Sequence, residues 1–150
     1  YPAPADEVMI LERQMVQHPI ETITPVVSAA EIVDLQSTVR HVHVDQSLKT
    51  YMVELTNASR RHEAVSLGAS PRGSIALMRC SQGLAAVRGR SHVVPDDVKH
   101  VAEAVLGHRL ILKPQRRLQG VTPAQVVAEL LQSVPVPVAV TDGAARGGAG

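Results

Sequence analysis

The stretch Gly68-Ala69-Ser70-Pro71-Arg72-Gly73-Ser74 decides how the middle of this 150-residue chain folds. Ser70 is a favoured N-cap residue and Pro71 suits the first helical position, so the pair predicts the start of a helix. Arg72 would follow in the first turn, where unpaired N–H groups already carry positive partial charge. Because a further cation is unfavourable there, Arg72 either points into water or faces an anion.

Helix-start signals recur along the rest of the chain. Ser28-Ala-Ala-Glu31 and Thr122-Pro-Ala-Gln125 have the pattern of capping boxes. Asp45 can cap a helix whose apolar stripe has helical spacing, at Leu48, Tyr51, Met52 and Leu55. We therefore predict helices from about Ala5 to Val16, after Ser28, after Asp45, from Ser70 to near Gly89, from Pro95 to Leu106, and after Thr122.

The apolar positions of these helices predict which faces are buried. In the helix after Ser70 we expect these side chains to face the core: Ile75, Leu77, Cys80, Leu84 and Val87. No stretch shows convincing two-residue alternation, so only short extended pieces are expected, at 40–44, 109–112 and 135–140. The predicted fold class is all-α, a helical bundle over 1–137 with a flexible tail rich in Gly and Ala over 138–150.

Composition narrows the class of function. Fifteen basic and fourteen acidic residues give a net charge of +1, so nucleic acid is an unfavoured partner. The single cysteine, Cys80, excludes an internal disulfide and fits a reducing, cytoplasmic compartment. No run of eighteen apolar residues predicts a membrane span. The first residues, YPAPADE, lack signal-peptide features and a starting Met, so we expect a piece of a longer protein.

Other candidate sites are weak. His41 and His43 would share a face in an extended segment, but no further ligand completes a zinc site, so surface histidines are favoured and no metal is expected. A basic patch is conceivable, although the lack of aromatic residues favours a solvated surface: Arg88, Arg90, Lys113, Arg116 and Arg117. No GxxxxGK[ST] motif is present, so the chain alone should hydrolyse no nucleotide.

The run from Leu67 to Leu112, LGASPRGSIALMRCSQGLAAVRGRSHVVPDDVKHVAEAVLGHRLIL, resembles the C-terminal lid of MoxR-type AAA+ ATPases. The likeness rests on GASPR followed at the right distance by PDDV and a His-Arg-Leu end. Shorter matches extend it over about residues 1–137, at Tyr1-Pro2, Val42-His43-Val44, Ala58-Ser59-Arg60 and Gly120-Val-Thr-Pro. One departure is Val94, where the family usually has a capping Thr or Ser.

The resemblance implies an answer for Arg72. In such ATPases the arginine of GASPR is the sensor-2 residue, with Ser70 and Pro71 positioning the helix start. It implies a lid that closes over ATP and Mg²⁺ held by a missing upstream P-loop domain, next to neighbouring subunits of a ring. It further implies chaperone-like remodelling, in some members with a von Willebrand factor A-domain partner. The alternative is a stand-alone helical adaptor that binds protein or nucleic acid.

Overall fold

The computed structural model describes residues 1–137, and within that range the fold is almost entirely helical. The α-helices are α1 Pro4–Gln14, α2 Ala29–Val39, α3 Gln46–Arg61, α4 Pro71–Val87, α5 Pro95–Leu106, α6 Pro114–Leu118 and α7 Pro123–Ser133. Two short strands, β1 Val65–Leu67 and β2 Ile111–Leu112, form an antiparallel pair. The all-α prediction is confirmed, while the predicted flexible tail, 138–150, lies outside the described residues.

The chain divides into two compact units, of which the first is Tyr1–Gln36. The capping box before α2 is confirmed, since Glu31 accepts the Ser28 N–H at 2.6 Å and Ser28 Oγ accepts the Glu31 N–H at 3.2 Å. No side chain of this unit is buried. Ile32 and Leu35, which lie three residues apart on α2, are 41% and 54% exposed. Helix formation here is therefore local, and its apolar face has no cover within the unit.

The second unit begins at Ser37 and contains the core. Helices α3 and α7 start where the sequence predicts, because Asp45 Oδ1 accepts the Ser47 N–H at 2.8 Å and Thr122 Oγ1 accepts the Gln125 N–H at 3.2 Å, whereas the short helix α6 was not predicted. The core is formed mainly by α3, α4, α5 and α7. Its most completely buried large side chains are Tyr51, Met52, Leu55, Leu77, Leu106, Leu130, Val98, Val126 and Val127.

The buried face of α4 differs from the prediction. Leu77 is fully buried, but Ile75, Cys80 and Val87 are exposed and Leu84 is half-buried. The buried face runs instead at steps of four residues, through Gly73, Leu77, Ser81 and Ala85. Apart from Leu77, these residues are small and let α4 pack closely on α3 and α5, so tight packing as well as apolar character selected the face. Cys80 as core filler is therefore wrong.

The extended pieces are shorter than predicted. Residues 109–112 contribute only β2, and 40–44 reduces to one bridge between His43 and His92. Strand β1, which pairs Val65 with Leu112, was not predicted. Residues 135–137 form no strand, and the rest of that predicted piece lies outside the described residues. Strands this short carry too few residues for alternation to be detected.

Buried Asp97 closes the turn between α4 and α5. Gly89 has φ of 70° and ends α4, with the Arg90 N–H donating to the Ala85 carbonyl at 2.9 Å. Asp97 accepts from the Val94 N–H at 3.0 Å, which is the half of a capping box that the third helical residue provides. Valine has no capping side chain, and the Asp97 N–H donates to the Val94 carbonyl at 3.0 Å instead. Asp97 also pairs with Arg88 and Arg90, which the sequence placed in a solvated surface or a basic patch.

Candidate functional site

Arg72 lies in the first turn of α4 with an exposed side chain. Ser70 occupies the N-cap position and Pro71 the first helical position, as predicted. The Ser70 hydroxyl makes no capping bond; its backbone carbonyl accepts the Gly73 N–H at 2.7 Å instead. The helix start is therefore shaped by backbone geometry and proline, and the Arg72 side chain takes no part in it.

The Arg72 guanidinium has no hydrogen bond or ion pair to any of residues 1–137. Several other arginines of this unit are engaged: Arg60 and Arg109 with backbone carbonyls, Arg88 and Arg90 with Asp97, and Arg116 with Glu63. An exposed cation near the positive end of a 17-residue helix suits an anionic ligand, since such a ligand would relieve the unfavourable charge.

The segment that leads to Arg72 is held by the last turn of α3. The Ala69 N–H donates to Ser59 Oγ at 3.0 Å, and the Ala69 carbonyl accepts from Arg60 Nε at 2.7 Å. Ser59 is fully buried and donates its own proton to the Thr56 carbonyl at 2.7 Å. Both polar ends of one loop residue are thus bound to consecutive residues of a core helix, which fixes the residue directly before the cap.

Two further contacts bring α4 against α3. A Cβ atom on Gly68 would lie 2.6 Å from the backbone N and Cα of Arg60, so only glycine allows the loop to approach this closely. Beyond the cap, the hydroxyls of Thr56 and Ser74 share a hydrogen bond at 2.8 Å. The start of α4 is consequently attached to α3 on both sides of Arg72.

Chemically, this arrangement presents one arginine on a fixed support. The guanidinium fork can donate two hydrogen bonds to phosphate oxygens. Among residues 1–137, no group of three or more His, Cys, Asp or Glu side chains could hold a metal ion. In particular, His41 Nδ1 lies 2.9 Å from the Ser37 carbonyl. The site can therefore contribute to anion binding, and the other parts of a nucleotide site would come from outside the described residues.

A cleft of about 490 Å³ lies elsewhere, between β2 and the turn from α6 to α7. Its walls are mostly apolar, with Arg117 on one side. Arg72 does not line it, so its size is no guide to the function of GASPR. None of the helices in residues 1–137 is both long and apolar enough to cross a membrane.

The sequence patterns did not reveal the roles of Thr56, Ser59 and Arg60. Ser59 stands four residues after Leu55 and so continues the buried stripe of α3. A hydroxyl at such a position signals a buried hydrogen bond, because an unpaired one is costly. That signal shows that Ser59 needs a hydrogen-bond partner. The partner, Ala69, is ten residues away in sequence, and only the path of the loop brings it next to Ser59.

The chain is similar to known proteins over most of its length. Residues 57–130 match the family described as "AAA lid domain". The chain is 41% identical over 138 residues to "Uncharacterized protein YeaC" of Bacillus subtilis, covering 92% of this chain and 43% of that protein. It is 33% identical over 146 residues to "Chaperone MoxR1" of Mycobacterium tuberculosis, covering 91% and 38%.

A solved structure agrees with these relatives. The crystal structure of a proposed ATPase from Cytophaga hutchinsonii superposes with a TM-score of 0.80 at 26% identity, covering 92% of this chain and 44% of that one. The chain thus spans less than half the length of the relatives it matches. A helical unit that carries GASPR at the start of α4, and that matches the lid model and MoxR relatives together, belongs to one family: the chain is the C-terminal lid region of a MoxR-family AAA+ ATPase.

Proposed function

We propose that this lid closes over ATP and Mg²⁺ bound by a P-loop domain elsewhere in the whole protein, with Arg72 as the sensor-2 residue directed at the terminal phosphates. The observation that carries the proposal is that Arg72 is exposed and unpaired within residues 1–137, while the loop before it is bound to α3. Ser70 and Pro71 set the direction of the helix start. The phosphates of the bound nucleotide would supply the negatively charged partner that Arg72 does not have within residues 1–137.

Closure follows from differential contact. Arg72 would gain charge-assisted hydrogen bonds in the closed state and lose them in the open state, and only such a difference can shift the equilibrium. Loss of the terminal phosphate after hydrolysis removes part of that difference and favours opening. The lid thereby couples the nucleotide state to movement of one part of the protein against another.

The exposed apolar surface of residues 1–36 favours an interaction with another domain of the whole protein. Its large apolar side chains have no cover within their own unit: Val8, Met9, Ile10, Leu11, Ile32, Val33 and Leu35. Surfaces of this kind mark interaction sites, and the upstream P-loop domain is the partner we propose. Relatives more than twice as long as this chain favour that arrangement over a stand-alone adaptor.

The proposed chaperone-like activity and ring assembly of the whole protein rest on its relatives. One of them is named as a chaperone, so we propose that the whole protein remodels partner proteins and works as a ring of neighbouring subunits. A von Willebrand factor A-domain protein is a proposed partner through the family resemblance alone. The chain's only cysteine is a free thiol, which suits a reducing compartment such as the cytoplasm.

The test is Arg72→Ala in the whole protein. We expect kcat for ATP hydrolysis to fall by about tenfold to a thousandfold. The upper figure equals the smallest contribution that is typical of an arginine finger, about a thousandfold. Arg72→Lys should recover only part of the loss, since lysine offers a point charge without the planar fork. Arg117→Ala, at the separate cleft, is the matched control and should leave kcat unchanged.

Folding is checked in the same preparations by circular dichroism and thermal unfolding. Arg72 is exposed and lies away from the buried face of α4, so its removal should leave the lid folded. A folded Arg72→Ala protein with normal kcat and normal nucleotide affinity would contradict the proposed role and leave an ordinary solvated arginine.

A further inference from the structure

We infer that Arg60 is a positioning residue for Arg72: its hydrogen bond to the Ala69 carbonyl sets where the start of α4, and with it the Arg72 guanidinium, stands. This inference rests on the proposed function of Arg72. The geometry that supports it is independent of any nucleotide, because it lies wholly within α3, α4 and the loop that joins them.

The bond to Ala69 is well made. Arg60 Nε lies 2.7 Å from the Ala69 oxygen, and the Ser59 hydroxyl accepts the N–H of the same residue at 3.0 Å. The Ala69 N–H belongs to the peptide unit that joins it to Gly68, and the Ala69 carbonyl to the peptide unit that joins it to Ser70, so the Ser59 bond alone leaves the second unit free to rotate. Arg60 holds that second unit at its carbonyl and so adds a constraint on orientation that Ser59 does not provide.

The Arg60 side chain is itself oriented. Its Nη1 donates to Asn57 Oδ1 at 2.8 Å, one turn earlier on α3. The planar guanidinium fork is thereby shared between one side-chain acceptor and one backbone acceptor. Arg60 is nonetheless exposed, so these bonds contribute little to the core. An exposed arginine that is oriented by its own helix at Asn57 and bonds the loop at Ala69 is better explained by placing that loop than by stabilising the fold.

Ala69 is followed directly by the cap, Ser70, and Arg72 stands two residues beyond it. Because Pro71 restricts rotation at the first helical position, a change in the orientation of the peptide unit between Ala69 and Ser70 is passed on to the helix start. A misplacement of about 1 Å can cost a reacting site about a hundredfold in rate. Loosening the loop would therefore reduce the effect of Arg72 without removing Arg72.

The experiment is a double-mutant cycle between Arg60→Ala and Arg72→Ala in the whole protein, read out as kcat for ATP hydrolysis. If Arg60 acts through Arg72, Arg60→Ala lowers kcat by about tenfold in the wild-type background. On the Arg72→Ala background the same change lowers it further by less than about twofold. The matched control is Arg61→Ala, the neighbouring exposed arginine, which has no side-chain partner among residues 1–137 and should not alter kcat.

Two further variants separate positioning from folding. Arg60→Lys keeps one donor for Ala69 but cannot also bond Asn57, so we expect kcat to recover to within about threefold of wild type. Asn57→Ala removes only the contact that orients the guanidinium, so it should lower kcat in the same direction by a smaller factor. Thermal unfolding of each variant shows whether the lid remains folded.

Each outcome decides a different question. An equal loss in both backgrounds, or no loss on Arg60→Ala while Arg72→Ala is impaired, would overturn the inference and leave the role of Arg72 intact. A normal kcat in Arg72→Ala itself would overturn the proposed function, and the inference with it. A loss confined to the wild-type background, with partial recovery in Arg60→Lys, is the expected result.

Discussion

Arg90 donates both arms of its guanidinium to the carboxylate of Asp97, at 2.6 and 2.7 Å, although Asp97 is completely buried. Arg88 adds a third bond at 3.1 Å, and the Val94 N–H a fourth at 3.0 Å. All the donors come from the turn between α4 and α5. A single buried carboxylate therefore joins the end of one core helix to the start of the next.

We expect Asp97→Ala to destabilise the chain by about 3 kcal/mol, because it leaves two arginines beside the core without their counter-charge. The estimate takes the lower end of the range for a broken buried pair, since the Arg90 and Arg88 side chains are 26% and 43% exposed. Urea unfolding of the 150-residue chain measures the loss. The matched control is Asp96→Ala, whose surface pair with Lys99 should contribute less than about 1 kcal/mol.

The same carboxylate predicts an acid dependence. The hydrogen bonds from Arg90 hold the pKa of Asp97 below its ordinary value. The stabilisation is fully present above the unfolded-state pKa of about 3.9 and is lost as the pH falls through the lower folded-state pKa. The difference in unfolding free energy between wild type and Asp97→Ala should thus be constant near neutral pH and shrink below about pH 4. A difference that stays constant into strong acid would contradict this assignment.

Two glycines should respond oppositely to alanine. Gly68→Ala places a Cβ 2.6 Å from the Arg60 backbone, so we expect a loss of about 1–3 kcal/mol and a displaced loop. Gly83, inside α4, has nothing within 4 Å of its Cβ position, so Gly83→Ala should stabilise by about 1 kcal/mol through helix propensity. Denaturant midpoints of the two variants test the pair, and equal shifts of the same sign would count against the close approach.

Cys80 should react readily with a thiol reagent in the native state. It is exposed on α4, contrary to its predicted place in the core. We expect one thiol per chain to be modified at a rate close to that of an unfolded peptide, without loss of helical signal. Cys80→Ser should abolish the reaction and leave stability nearly unchanged. If the Cys80 thiol reacted with the reagent only after unfolding, it would be buried in the native state and the prediction would be wrong.

The 150-residue chain by itself should hydrolyse no ATP. It contains no GxxxxGK[ST] motif, and no cluster able to hold a metal ion occurs among residues 1–137. Purified chain and a buffer blank should release phosphate at the same rate, while the helical circular dichroism signal confirms that the chain is folded. Turnover that follows the chain through successive purification steps would contradict the proposal that hydrolysis needs another domain.

The starts of the helices were determined by the sequence alone. Asp45, Thr122 and Pro95 act on neighbouring backbone groups within three residues, so their effect does not depend on the rest of the fold. Pro71 acts in the same local way, although the Ser70 hydroxyl makes no capping bond, and this explains why the position of Arg72 at the head of α4 was correctly predicted. The role of Arg72 stays a prediction.

Only the tertiary structure decided which face of α4 is buried and what holds its first turn. Apolar character favoured Ile75 and Cys80, but close contact with two helices requires small residues, and Gly73 and Ala85 supply them. Asp97 is a buried ion-pair centre because the turn after α4 folds Arg88 and Arg90 back onto it. Such contacts join residues whose distance is set by packing, and a local pattern holds no information about that distance.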